Sequence, residues 1–205
     1  MTSKKNIYLA IAASSFVIIG LIVWLFFLGN PYDTPVREVS LKIDALAQAE
    51  LADGTTIGDL EQKSALFERE LTSAATKIPA GNNEATVREY FTAALNYVTS
   101  LNRWLTAMSR NSVTSKRLEN PSAFTSGCTG YSDLMNAGNC MLNASSDMQK
   151  ALDEYKVAST AYMTAITNKH EAMLSLAAAR NKVNGVVSKR SLAVMSSFDQ
   201  LLAKQ

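Results

Sequence analysis

Residues 151–183 read ALDEYKVASTAYMTAITNKHEAMLSLAAARNKV. Ala151, Ala158, Ala165, Ala172 and Ala179 share one sevenfold register, which Val186 and Ala193 continue. Leu152, Ile166, Met173, Val187 and Val194 run beside that column, as do Tyr155, Tyr162, Leu176 and Val183. An apolar repeat of seven belongs to an α-helix packed lengthwise on another helix. A column of alanines lets the neighbour approach toward the short end of the usual ~8–10 Å axial spacing. The stretch points to an all-α fold, an elongated three- or four-helix bundle with coiled-coil packing.

Working outward, Ser146-Asp147-Met148-Gln149 is a capping-box pattern and the expected start of this last helix. The helix is expected over 146–203, with Asn184-Gly185 as the place where it kinks, or ends so that the remainder folds back. Uninterrupted, it measures on the order of 87 Å at ~1.5 Å per residue. Before it, 111–145 is rich in Ser, Asn, Gly and Thr and contains Pro121, so it reads as a long loop. Val87, Phe91, Ala94, Val98, Leu101, Leu105 and Met108 alternate steps of four and three, which predicts a helix over 84–110 with Asn83 as its cap. Pro79-Ala80-Gly81-Asn82-Asn83 is a tight turn that makes this helix antiparallel to the one before it. That earlier helix is expected over 35–78, capped by Thr34 and broken or kinked near Gly54.

The N-terminus has a different solvent. Ile7 to Leu28, IYLAIAASSFVIIGLIVWLFFL, carries no charge. Roughly 20 apolar residues in a helix cross a ~30 Å hydrocarbon layer. Lys4 and Lys5 precede the run and Asp33 follows it, while Trp24 suits the far interface. The expectation is a single-pass anchor at 7–28 in the inner (plasma) membrane, with 1–6 cytoplasmic and 29–205 periplasmic or extracellular. A cleaved signal peptide has a shorter apolar core and a small-x-small site, neither of which is present at Phe27-Leu28-Gly29-Asn30-Pro31.

The chain holds 20 Lys+Arg against 18 Asp+Glu, and setting aside Lys4 and Lys5 leaves the remainder balanced. A phosphate backbone calls for a clustered positive field, so nucleic acid is not an expected partner. Acidic residues predominate between Pro35 and Ile78, whereas Arg180, Lys182, Lys189, Arg190 and Lys204 outnumber Asp199 at the end. An acidic first helix could therefore lie beside the basic end of the last.

Cys128 and Cys140 are the chain's two cysteines, and outside the cytoplasm they are expected to form a disulfide. Closing a loop of this length contributes roughly 3 kcal/mol in the chain-entropy picture. Around His170 the sequence shows no set of residues at catalytic or metal-binding spacing, so it is expected to be an exposed or partly packed histidine. Met135 and Met141 are an incomplete thioether set for Cu(I), so no metal or cofactor is expected. Glycine-rich phosphate loops, G-x-S-x-G and H-E-x-x-H are all missing.

These features favour a non-enzymatic, membrane-anchored structural or accessory subunit of a cell-envelope assembly. Its expected partners are the lipid bilayer and other envelope proteins or a second copy, met through the alanine seam and the disulfide-closed loop. The alternative is a ligand-sensing or ligand-binding bundle that signals through a partner, with Tyr90, Tyr97, Trp104, Tyr155 and Tyr162 as candidate lining residues.

Overall fold

A computed structural model describes residues 30–130, 133–188 and 195–204. Five helices carry the fold: α1 (Asp33–Leu51), α2 (Ile57–Ala75), α3 (Glu84–Glu119), α4 (Leu134–Val183) and α5 (Ser196–Ala203). Two single turns, Ser122–Thr125 and Ser126–Cys128, lie between α3 and α4. The described residues contain no strand, and no helix among them is long and apolar enough to cross a membrane. The anchor expected at 7–28, with Lys4, Lys5 and Trp24, lies outside the described residues, as does Ala193.

The expected helix over 35–78 is two helices folded into a hairpin. Gly54 adopts φ +90°, a left-handed conformation that side chains disfavour, and the chain reverses there. Thr56 opens α2 with a capping box: its hydroxyl accepts from Asp59 N–H, and the Asp59 carboxylate accepts from Thr56 in return. Those bonds hold the Asp59 carboxyl below its ordinary pKa. Lys42 of α1 pairs with Glu70 of α2 and lies over Phe67, as antiparallel neighbours require. The cap expected at Thr34 is replaced, since α1 starts at Asp33 behind Tyr32, whereas Asn83 holds the expected N-cap position of α3 but makes no side-chain cap bond.

The larger correction concerns 111–145. Most of it is helix, because α3 continues to Glu119 and α4 already starts at Leu134, where Asp133 accepts from Met135 N–H. Ser146 is therefore inside α4 and caps nothing. At the other end α4 stops at Val183 with Asn184 as its cap, so the helix expected over 146–203 is interrupted. After the break α5 folds back onto α1, where the Asp44 carboxylate accepts the Ser197 and Phe198 N–H groups at 2.7 and 3.1 Å. A carboxylate accepting from these amides satisfies donors that have no partner within the helix at its start.

α3 and α4 form one long antiparallel hairpin. Arg117 pairs with Glu154 near its far end and Lys182 with Glu89 near its base, two contacts in a single register. At 36 and 50 residues these helices are about 54 and 75 Å long, whereas α1 and α2, at 19 residues each, are about 28 Å. The short helices cover only the lower half. There the core is dense: Val36, Ile43, Phe91, Leu101, Leu105, Leu176 and Phe198 are buried, and Tyr97 meets Phe198 edge-on with ring centroids 5.6 Å apart. Each such side chain contributes roughly 1.5–3 kcal/mol by leaving water. Above Met108 and Tyr162 the hairpin continues as a two-helix arm.

Candidate functional site

The arm is built from small residues. Ala144, Ala151, Ala158 and Ala165 are buried along α4, facing a stretch of α3 that includes Asn111, Thr114, Ser115 and Leu118 at half-buried positions. Ala172 and Ala179 continue the column into the core. The seam is close-packed but poor in apolar area, so the arm gains little hydrophobic stabilisation per turn. Asn111 Oδ1 is buried there with no hydrogen-bond partner among the described residues.

The disulfide compensates at the far end. Cys128, in the turn after α3, is bonded to Cys140, two turns into α4, with Cα atoms 5.6 Å apart. Cys128 is buried, and Arg117 reaches over the Phe124 ring at 5.6 Å. Around this staple, large apolar side chains face solvent: Leu134 is 92% exposed, Met135 75%, Leu142 71% and Met141 52%. Water-facing Leu and Met at one end of an arm form a patch of the kind that marks protein contacts. Met135 and Met141 belong to this patch, and no group of three or more His, Cys, Asp or Glu among the described residues could hold a metal.

Where the arm leaves the bundle there is a second concentration of chemistry. Lys169 of α4 is 4% exposed and donates to Glu50 at the end of α1, and its Nζ lies 4.2 Å from the Trp104 ring centroid. A cleft of about 300 Å³ opens beside them, lined by Glu50, Trp104, Tyr162, Ile166 and Lys169. Glu50 Oε2 and the Tyr97 hydroxyl are buried with no hydrogen-bond partner among the described residues. Burial drives the Tyr97 hydroxyl pKa well up, and the Glu50 charge adds to the shift. Tyr90 is different: its hydroxyl lies 2.8 Å from Ser40 Oγ, and burial pushes it up to about 12.

Of the five candidate lining residues, Trp104 and Tyr162 line the cleft, while Tyr90 and Tyr97 are core. Tyr155 is half-buried on the arm. Residue type alone does not single out Lys169, because a lysine on a long helix looks like a surface residue. Its place in the register is the signal, since Tyr155, Tyr162, Lys169, Leu176 and Val183 recur every seven residues. The acidic first helix does not meet the basic residues of the last segment in the way charge alone suggests: Glu50 pairs with Lys169, which precedes that end, and Asp33 accepts the backbone N–H of Ser188 at 2.8 Å. Arg180 pairs instead with Asp199 of α5, and Lys182 with Glu89 of α3.

No protein-family model, curated protein or solved structure matches the chain.

Proposed function

We propose that this protein is a non-enzymatic, membrane-anchored subunit of a cell-envelope assembly, holding a disulfide-tied helical arm against a partner protein. The observation that carries the reading is the exposed quartet Leu134, Met135, Met141 and Leu142 at the stapled end of the arm. Solvent-facing apolar side chains held on a helix and fastened by a covalent bond are a costly surface for a protein that contacts nothing.

The position of the base supports the same reading. Asn30 lies two residues after the apolar run, and its side-chain amide donates to the Val186 carbonyl at the end of the bundle opposite the tip. With 7–28 as a bilayer-spanning helix and Lys4 and Lys5 on the cytoplasmic side, the arm stands away from the inner (plasma) membrane, in the periplasmic or extracellular space. From Tyr162 to Leu134 it extends roughly 40 Å beyond the bundle. An anchor at one end and a sticky tip at the other suit a spacer that reaches a fixed height.

Gentle detergent extraction of the full chain, with light scattering and mass spectrometry of the eluted particle, tests this. A discrete particle larger than the monomer, lost when Leu134 and Leu142 are both replaced by Ser, supports the arm as a docking element. A monomer without companions contradicts it.

A further inference from the structure

The junction between bundle and arm carries an ion pair that helix packing does not require. Replacing a buried pair by apolar side chains is often neutral or stabilising, so its presence asks for another reason. Glu50 is nine-tenths buried with Oε1 bound to Lys169, and Oε2 has no hydrogen-bond partner among the described residues. An ammonium has three donors, and Glu50 takes one of those on Lys169. Glu50, which lines the cleft, thus keeps one unmet carboxylate oxygen next to the Lys169 cation. The cleft above it has an indole, a phenol and an aliphatic wall in Trp104, Tyr162 and Ile166.

We propose that this cleft binds a small zwitterion, a molecule with one ammonium, one carboxylate and an apolar body. The ligand ammonium donates to Glu50 Oε2, and its carboxylate accepts from Lys169. The apolar body lies along Tyr162 and Ile166. Because the Glu50–Lys169 pair is neutral, a ligand with net charge would leave that charge buried and uncompensated, whereas a zwitterion adds none. Glu50 Oε2 is shielded from water, so binding requires a side chain at the rim to move, and the half-buried Tyr162 is the rim residue on the arm side. The site does not depend on the tip's contacts, and it would let a small molecule bias the angle at which the arm leaves the bundle.

The test uses the full chain in detergent micelles carrying Trp24→Phe, which leaves Trp104 as the chain's one tryptophan. Leucine, phenylalanine and 5-aminopentanoate are titrated while Trp104 emission is followed, alongside leucinamide and N-acetylleucine, which each lack one charge. At least one zwitterion should give a saturable change, with the two leucine derivatives weaker by about tenfold or more. Tyr162→Ala, which leaves the ion pair in place, should weaken that zwitterion by a similar factor with helical content unchanged. No saturable change up to roughly 10 mM, where even weak contacts register, overturns the proposal. Equal binding of leucine and its singly charged derivatives overturns it too.

Discussion

Cys128 and Cys140 join the turn after α3 to the second turn of α4, at the end of the hairpin where its seam is poorest in apolar side chains. The bond therefore acts on the arm, while the core built on Leu101, Leu105 and Leu176 lies far below it. Replacing both cysteines by Ser should cost roughly 3 kcal/mol of local stability. Amide exchange should rise in 109–119 and 134–158 and stay slow around Leu101 and Leu176. Equal acceleration in both regions would mean that arm and bundle unfold together.

Tyr97 and Tyr90 are both fully buried, but only Tyr90 has a hydroxyl partner among the described residues, in Ser40. Removing an unpartnered buried hydroxyl relieves a desolvation cost, whereas removing a partnered one loses a bond. Tyr97→Phe should be neutral or stabilising by up to about 2 kcal/mol, and Tyr90→Phe should cost about 1 kcal/mol. Denaturant midpoints of the two variants decide it; a larger loss for Tyr97→Phe would refute the assignment.

The same phenols set the alkaline limit. Both fold with raised pKa values, Tyr90 at about 12 against 10.0 when free. The unfolded chain releases these protons first, so their contribution is intact below pH ~10 and is lost as the pH rises through the folded values. Melting temperature should fall steeply above pH ~10, and tyrosinate absorbance of the buried rings should appear together with loss of helix. Titration of every tyrosine before any loss of helix would contradict this.

Lys169 and Glu50 stabilise each other as a pair. Lys169→Met or Glu50→Gln alone should cost about 3–5 kcal/mol, because each leaves a buried polar group uncompensated. The double change Glu50→Leu with Lys169→Met should recover most of that loss. A double-mutant cycle by chemical denaturation measures the coupling, and additive losses would show that the two side chains do not act together.

Much of the fold can be read from side-chain spacing. The all-helical class follows from the sevenfold repeat, and two cysteines in a chain without C-x-x-C leave one pairing. At 111–119 and 134–145 the composition is that of a loop, yet the chain is helical. Asn111, Thr114 and Ser115 look like loop residues, yet together with Leu118 their spacing continues that of Leu105 and Met108. The alanine register likewise runs back through Ala144 to Ala137, past the apparent cap at Ser146. Small polar residues are tolerated in these helices because a two-helix arm has half its circumference in water and a close-packed alanine seam on the other side. The cleft was less legible, since Glu50 and Lys169 are 119 residues apart and nothing local marks either one as buried.

The central claim is that the tip touches a partner. A photo-reactive side chain placed at Leu142 in the full chain, irradiated in intact cells, tests it against the same group at Lys63, exposed on α2. The account predicts one discrete cross-linked product from Leu142, dependent on the disulfide, and none at that mass from Lys63. Identical patterns from both positions, or no product from Leu142, would contradict it.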